Sequence, residues 1–206
     1  MFTVHHLNNS RSQRVLWLLE ELGQPYEIEH YQRDSVTNLA PPALLAKHPL
    51  GKSPMLEVDG RIITESGAIV DYLCAGFGPQ LVPARDTDAY ITHLELMHFA
   101  EGSAMTPILL QLYVGKLGEA GAPLAPRIAQ QLQSHFAYME SQLRPSGHFV
   151  QDDLSAADIM LSFPAEIAIA QGQGKNLPKL AGFVASMQAR PAYQRALEKG
   201  GAYAFA

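Results

Sequence analysis

Two short polar stretches hold the residues whose types and spacing could do chemistry. The first is Asn8-Asn9-Ser10-Arg11-Ser12. It falls where an apolar run reading as a strand meets a run with helical spacing. Asn9 brings an amide, and Ser10 and Ser12 bring hydroxyls. A helix start adds free backbone N–H groups and the positive end of its dipole. Together these donors suit an anion. Serine is also a common N-cap, so a plain cap at Ser10 or Ser12 is the competing reading. The second stretch is Glu65-Ser66, which opens another helix. There the Ser66 hydroxyl and N–H would attract a carboxylate, and Glu65 an ammonium. Earlier in the chain lies Lys52-Ser53-Pro54. Pro54 cannot donate to a sheet ladder, so it needs an edge or a special turn. The sequence permits a cis Ser53-Pro54 bond, which would present the Ser53 backbone to an extended ligand.

The elements around these stretches read clearly. Phe2 to Leu7 is predicted as a strand, and Val15, Leu16, Leu18, Leu19 and Leu22 follow at helical spacing. Gly23 is placed just past that helix, with Pro25 beyond it. Glu27 to Tyr31 alternates, which predicts a second strand. Strand, helix and strand within about thirty residues form a βαβ unit and imply a parallel pair. Pro41-Pro42 can start a short helix through Lys47. Met55 to Val58 and Arg61 to Thr64 are short, partly β-branched runs. Asp59-Gly60 between them is a two-residue hairpin signal, because a type I′ turn needs positive φ at both positions. Ile69, Val70 and Leu73 then share a helix face. This is a thioredoxin-like order, assigned to residues 1–80.

Gly76, Gly78, Pro79 and Pro83 mark a linker over 75–86. Beyond it no strand-like alternation occurs. Helices are predicted over 87–116, 124–143, 155–171, 177–189 and 191–199, giving an all-helical domain over 87–206. Pro164 should kink or split the third of these. Ser155 and Asp158 are spaced as a capping box.

Composition narrows the functional classes. The 206 residues are 47% hydrophobic and carry a net charge of −5, which argues against a nucleic-acid surface. No run of about 18 apolar residues exists, so no membrane span is predicted. The first residues, Met1 to His6, lack the basic and apolar regions of a signal peptide. The single cysteine, Cys74, excludes an internal disulfide framework. A cytoplasmic protein is the simplest expectation. Cys74 falls late in its helix, where the dipole disfavours a thiolate, so it reads as inert. His93 and His98 are five apart and no His-Glu-x-x-His occurs, so no metal is expected.

The stretch from Lys52 to Leu73 resembles the glutathione site of the glutathione transferases. In that family a cis Pro begins the third strand and a Glu/Gln-Ser pair opens the next helix. Ser53-Pro54 stands where the family usually reads Val-Pro or Ile-Pro. The Ser155 and Asp158 box is similar to one in a buried helix of the family's second domain. The resemblance covers essentially the whole chain and is nearest to the bacterial, cytosolic members. No tyrosine lies in Asn8 to Ser12, so the reactive segment resembles the serine- or asparagine-type rather than the tyrosine-type.

The resemblance implies a homodimeric detoxifying enzyme with glutathione as co-substrate and no metal. The glutathione thiolate would attack a small hydrophobic electrophile. Glu65 would pair with the γ-glutamyl ammonium and Ser66 with its carboxylate. Ser53, set by Pro54, would pair with the cysteinyl unit in the manner of an added strand. Lys52 would reach the glycyl carboxylate, with Arg11 or His48 as alternatives. Ser10 or Asn9 would stabilise the thiolate, and the choice between them is open. A thiol with a pKa of roughly 8.5 needs about 2.7 kcal/mol of preference to fall by about two units, within the scale of such hydrogen bonds. Met97, His98, Met105 and Tyr113 would wall the electrophile pocket, although such residues also fill cores. Two other activities fit the resemblance: hydroperoxide or disulfide reduction, and a non-catalytic binding scaffold. The segment 200–206 reads as a lid, a packing element for a partner subunit, or a disordered tail.

Overall fold

A computed structural model describes residues 1–206. They pack as two compact units, one of 1–81 with 186–206 and one of 82–185. Residues 186–206, expected within the helical domain over 87–206, pack with the first unit instead.

The first unit begins with β1 (Phe2–Leu7), α1 (Ser12–Glu21) and β2 (Tyr26–Tyr31). It continues with α2 (Ala43–Lys47), β3 (Met55–Val58), β4 (Arg61–Thr64) and α3 (Ser66–Phe77). The sheet runs β2-β1-β3-β4, with β1 parallel to β2 and antiparallel to β3. The βαβ unit and the hairpin are therefore where the sequence puts them. Asp59 (φ 49°) and Gly60 (φ 80°) hold the left-handed conformations that their turn demands. Gly23 (φ 62°) ends α1, and the N–H of Gln24 returns to the Leu19 carbonyl at 3.0 Å, closing a Schellman motif. Val4, Leu16, Leu18, Leu56, Ile69 and Leu73 form the solvent-free core of this unit.

A last helix, α9 (Pro191–Gly200), packs along α1. Trp17 meets Tyr193 edge to face at 5.3 Å. Glu20 and Glu21 occupy the last turn of α1, where the helix dipole disfavours acids. Cations from the α9 region offset this. Arg190 forks onto Glu21 at 2.5 and 3.1 Å, and Arg195 (2.7 Å) and Lys199 bind Glu20. Burial works against the Glu20 carboxylate, but hydrogen bonds from Lys199, Arg195 and Tyr26 outweigh it and hold its carboxyl below the usual range.

The second unit is helical. It contains α4 (Asp88–Phe99), α5 (Met105–Gly115), α6 (Ala125–Gln142), α7 (Ala156–Ala170) and most of α8 (Pro178–Gln188). The single helix expected over 87–116 is interrupted by a π-helical turn at Ala100–Ala104 around Gly102. Pro164 lies inside α7 without splitting it. Residues 156 to 168 of α7 are all buried, so this helix is the centre of the unit, as a helix apolar on every side must be. Its start carries the capping box, with the Ser155 side chain on the Asp158 N–H and the Asp158 side chain on the Ser155 N–H. No helix is long and apolar enough to cross a membrane.

Candidate active site

Strand register brings the polar stretches together. His5 faces Met55, and Met55 faces Thr64, so the end of β1, the start of β3 and the end of β4 share one end of the sheet. Asn8 to Ser12, Ser53-Pro54 and Glu65-Ser66 therefore meet there. Ser53 ties two of these together: its hydroxyl donates to the His5 carbonyl (2.8 Å) and accepts from the Leu7 N–H (3.2 Å). The Ser53-Pro54 bond is cis, and Pro54 is buried. Lys52 is exposed beside them, and Arg11 and His48 are half-buried.

Glu65 has φ 67° and ψ 118°, a conformation uncommon for a residue with a side chain. It makes no side-chain cap, and its carboxylate is exposed. An ordinary acidic cap would not need this backbone; an outlier of this kind is often held for binding. Ser66 behind it is 4% exposed and starts α3. The sequence analysis missed Arg14, which lies under this helix start at 1% exposure and donates to the Ser66 hydroxyl at 3.4 Å. Its signal was a lone cation leading the apolar run Val15-Leu16-Trp17-Leu18-Leu19. Its charge adds to the α3 dipole in favouring an anion at Ser66.

In the first stretch the candidates divide. Ser10 and Ser12 are buried, and their hydroxyls meet at 2.7 Å. The Ser12 N–H donates to the Ser10 hydroxyl (3.2 Å), so Ser10 serves the turn locally. Ser12 continues to Nδ1 of His6 at 2.8 Å. Burial and the neighbouring His30 ring push the His6 pKa down to about 4, against a hydrogen bond from its ring to the Gly200 backbone. Asn9 is half-buried at φ 52°, and its Oδ1 accepts from the Ala204 N–H at 2.8 Å. The Arg33 guanidinium donates to the Asn8 and Asn9 carbonyls, fixing the turn from β2's end.

The residues outside this cluster fall elsewhere. Burial, helped by the nearby Asp71 charge, pushes the Cys74 thiol up to about 12. Within the second unit, Met97 and Met105 are buried while His98 and Tyr113 are exposed. A cavity of about 540 Å³ in that unit is lined by Gln111, Leu132, Phe136 and Gln171 among others, and not by those four residues.

Known proteins share both the sequence and the fold. Residues 2–75 match the glutathione S-transferase N-terminal domain, and residues 111–200 match its C-terminal domain. The chain is 34% identical to Glutathione S-transferase 3 of Schizosaccharomyces pombe, over 97% of this chain and 88% of that protein. It is 30% identical to Glutathione S-transferase 1 of Saccharomyces cerevisiae, over 95% and 94%. A glutathione S-transferase crystal structure from Actinobacillus pleuropneumoniae superposes with a TM-score of 0.90 at 30% identity, covering 99% of this chain and 94% of that one. A thioredoxin-like α/β domain with a helical domain is the architecture they share. The chain belongs to the glutathione S-transferase family.

Proposed function

We propose that this protein is a glutathione transferase in which the glutathione thiolate attacks a small electrophile. The observation that carries this is the meeting of Glu65-Ser66, Ser53-Pro54 and Asn9 at one end of the sheet. Glutathione lies along that end. Glu65 takes the γ-glutamyl ammonium, and Ser66, backed by Arg14, takes the carboxylate. The Ser53 backbone pairs with the cysteinyl unit, and Lys52 reaches the glycyl carboxylate. Of the residues expected to meet the electrophile, His98 and Tyr113 are exposed, whereas Met97 and Met105 are buried. The active form is a homodimer, and no metal takes part.

Asn9 is favoured over Ser10 as the group that stabilises the thiolate. The Ser10 hydroxyl is engaged by Ser12 in a buried turn, whereas the Asn9 side chain stands at its rim. Asn9→Ala is therefore expected to raise the pKa of the bound thiol, read from thiolate absorbance against pH. Ser10→Ala is expected mainly to cost stability, about 1 kcal/mol. The reverse pattern would move the catalytic role to Ser10.

The test of the reading itself is calorimetric titration with reduced glutathione at neutral pH. Glu65→Ala should weaken binding by about 1.5–3 kcal/mol, the scale of a charged hydrogen bond. Equal affinity in the two proteins would remove Glu65 from the site. Assays with an aryl halide beside an organic hydroperoxide then separate conjugation from reduction.

A further inference from the structure

The segment after α9 lies on the reactive turn. Gly201 (φ 85°) reverses the chain. The Ala204 N–H then donates to Asn9 Oδ1 at 2.8 Å, and the Gln188 amide holds the Phe205 carbonyl at 3.0 Å just beyond. At the start of the segment, the Gly200 backbone hydrogen-bonds the His6 ring. A Cβ on Gly200 would lie 2.9 Å from Leu16 Cδ1 and 3.2 Å from Gln13 Oε1, so only glycine allows this approach without displacement. Asn9 is thus contacted by a stretch pinned on both sides.

Two consequences follow from hydrogen-bond polarity. A backbone N–H can only donate, so the Asn9 atom it meets is the oxygen. The amide nitrogen, with its two N–H donors, is turned the other way. His6 is neutral near pH 7 and has one N–H. The Gly200 contact favours the protonated ring, so the ring donates that N–H to the Gly200 carbonyl. The single Ser12 proton then goes to Nδ1 (2.8 Å) or to the Leu7 carbonyl (3.2 Å), and with either acceptor the Ser12 oxygen accepts from Ser10. The Ser10 proton points inward. Proton flow outward along this chain does not compete, because a thiol near 8.5 cannot readily protonate a ring near 4.

We propose that residues 200–206 are a positioning strap for the thiol-activating turn: the Ala204 N–H sets the Asn9 amide as a donor, and Gly200, through His6 and Ser12, holds Ser10 in the interior. This rests on the transferase reading of the site. The strap residues act through Asn9 and are not catalytic.

The experiment compares the parent with Ala204→Pro, which lacks the N–H, and with a chain ending at Gly201. The readouts are the pKa of bound glutathione by thiolate absorbance and its Kd by calorimetry. Both variants should raise the bound thiol pKa by about one unit, a tenfold loss of thiolate at low pH, with Kd changed less than about threefold. Asn9→Ala should give the same rise, and shortening the chain in that background should add nothing. An unchanged thiol pKa in either folded variant overturns the proposal. So does a rise that persists in full on top of Asn9→Ala. Hydrogen exchange at the Ala204 amide separates this from a failure of the transferase reading. Slow exchange in the parent that becomes fast in Asn9→Ala supports the contact whether or not glutathione binds. Fast exchange in the parent overturns it.

Discussion

Asp158→Ala is expected to destabilise the fold by roughly 3–5 kcal/mol while leaving glutathione affinity per folded molecule unchanged. The carboxylate is fully buried and feeds four contacts. Its Oδ1 accepts from the Phe149 N–H at 2.9 Å. Its Oδ2 accepts from the Ser155 N–H and the Ser155 hydroxyl, both at 2.7 Å. The His148 Nδ1 stands 3.5 Å away. Truncation leaves two backbone donors and a hydroxyl without a partner in a dry interior, each costing about 1–3 kcal/mol. A capping box read from spacing alone predicts only about 1 kcal/mol, so the magnitude discriminates between a simple cap and a buried hub. Ser155→Ala removes fewer contacts and should cost about 1–2 kcal/mol. Urea unfolding followed by circular dichroism gives both values. A loss near 1 kcal/mol for Asp158→Ala would show that water or a shifted backbone replaces the carboxylate.

Lowering the pH from 6.5 to 4 should remove about 2.5 kcal/mol of stability through His6 alone. The ring is 3% exposed, lies 5.8 Å from the His30 ring, and bonds Ser12 on one nitrogen. In the unfolded chain it takes up a proton near pH 6.5; in the folded chain, only near pH 4. Between those values the unfolded state binds more protons, so stability falls as the pH falls. Above pH 6.5 both states are neutral and the effect vanishes. Glu20, held below the usual carboxylate range, adds its own loss as the pH falls below about 4.5, where the unfolded chain begins to protonate it first. The sole tryptophan, Trp17, is buried on α1 in the same unit and reports the transition by fluorescence. His6→Gln should flatten the slope between pH 6.5 and 4. A proton NMR titration placing the folded His6 ring near 6.5 would defeat this account.

Much of the fold was legible because its signals are local. Asp59-Gly60 declares a hairpin since only certain residues tolerate two positive φ angles in a row. Gly23 after a leucine-rich helical run declares a helix end for the same reason. Ser155 and Asp158 declare a helix start because a cap is satisfied within three residues. The π-helical turn at Ala100–Ala104 was not legible. The residues around Gly102 keep helical propensity on both sides, so nothing in the spacing marks the wider turn.

The sequence by itself determined the order of elements, the pairing of Glu65 with Ser66 at a helix start, and a proline free to be cis at residue 54. Each depends on backbone preferences that act over a few residues. Only the tertiary structure decided which polar groups reach the site. It put Arg14 under Ser66, turned the Ser10 hydroxyl inward towards Ser12, and laid Ala204 on Asn9, 195 residues away in the chain. It also attached α9 to the first unit, through Glu20 and Glu21 of α1. Those contacts join segments distant in sequence. Spacing along the chain says which face a residue occupies, but packing between elements says what that face meets.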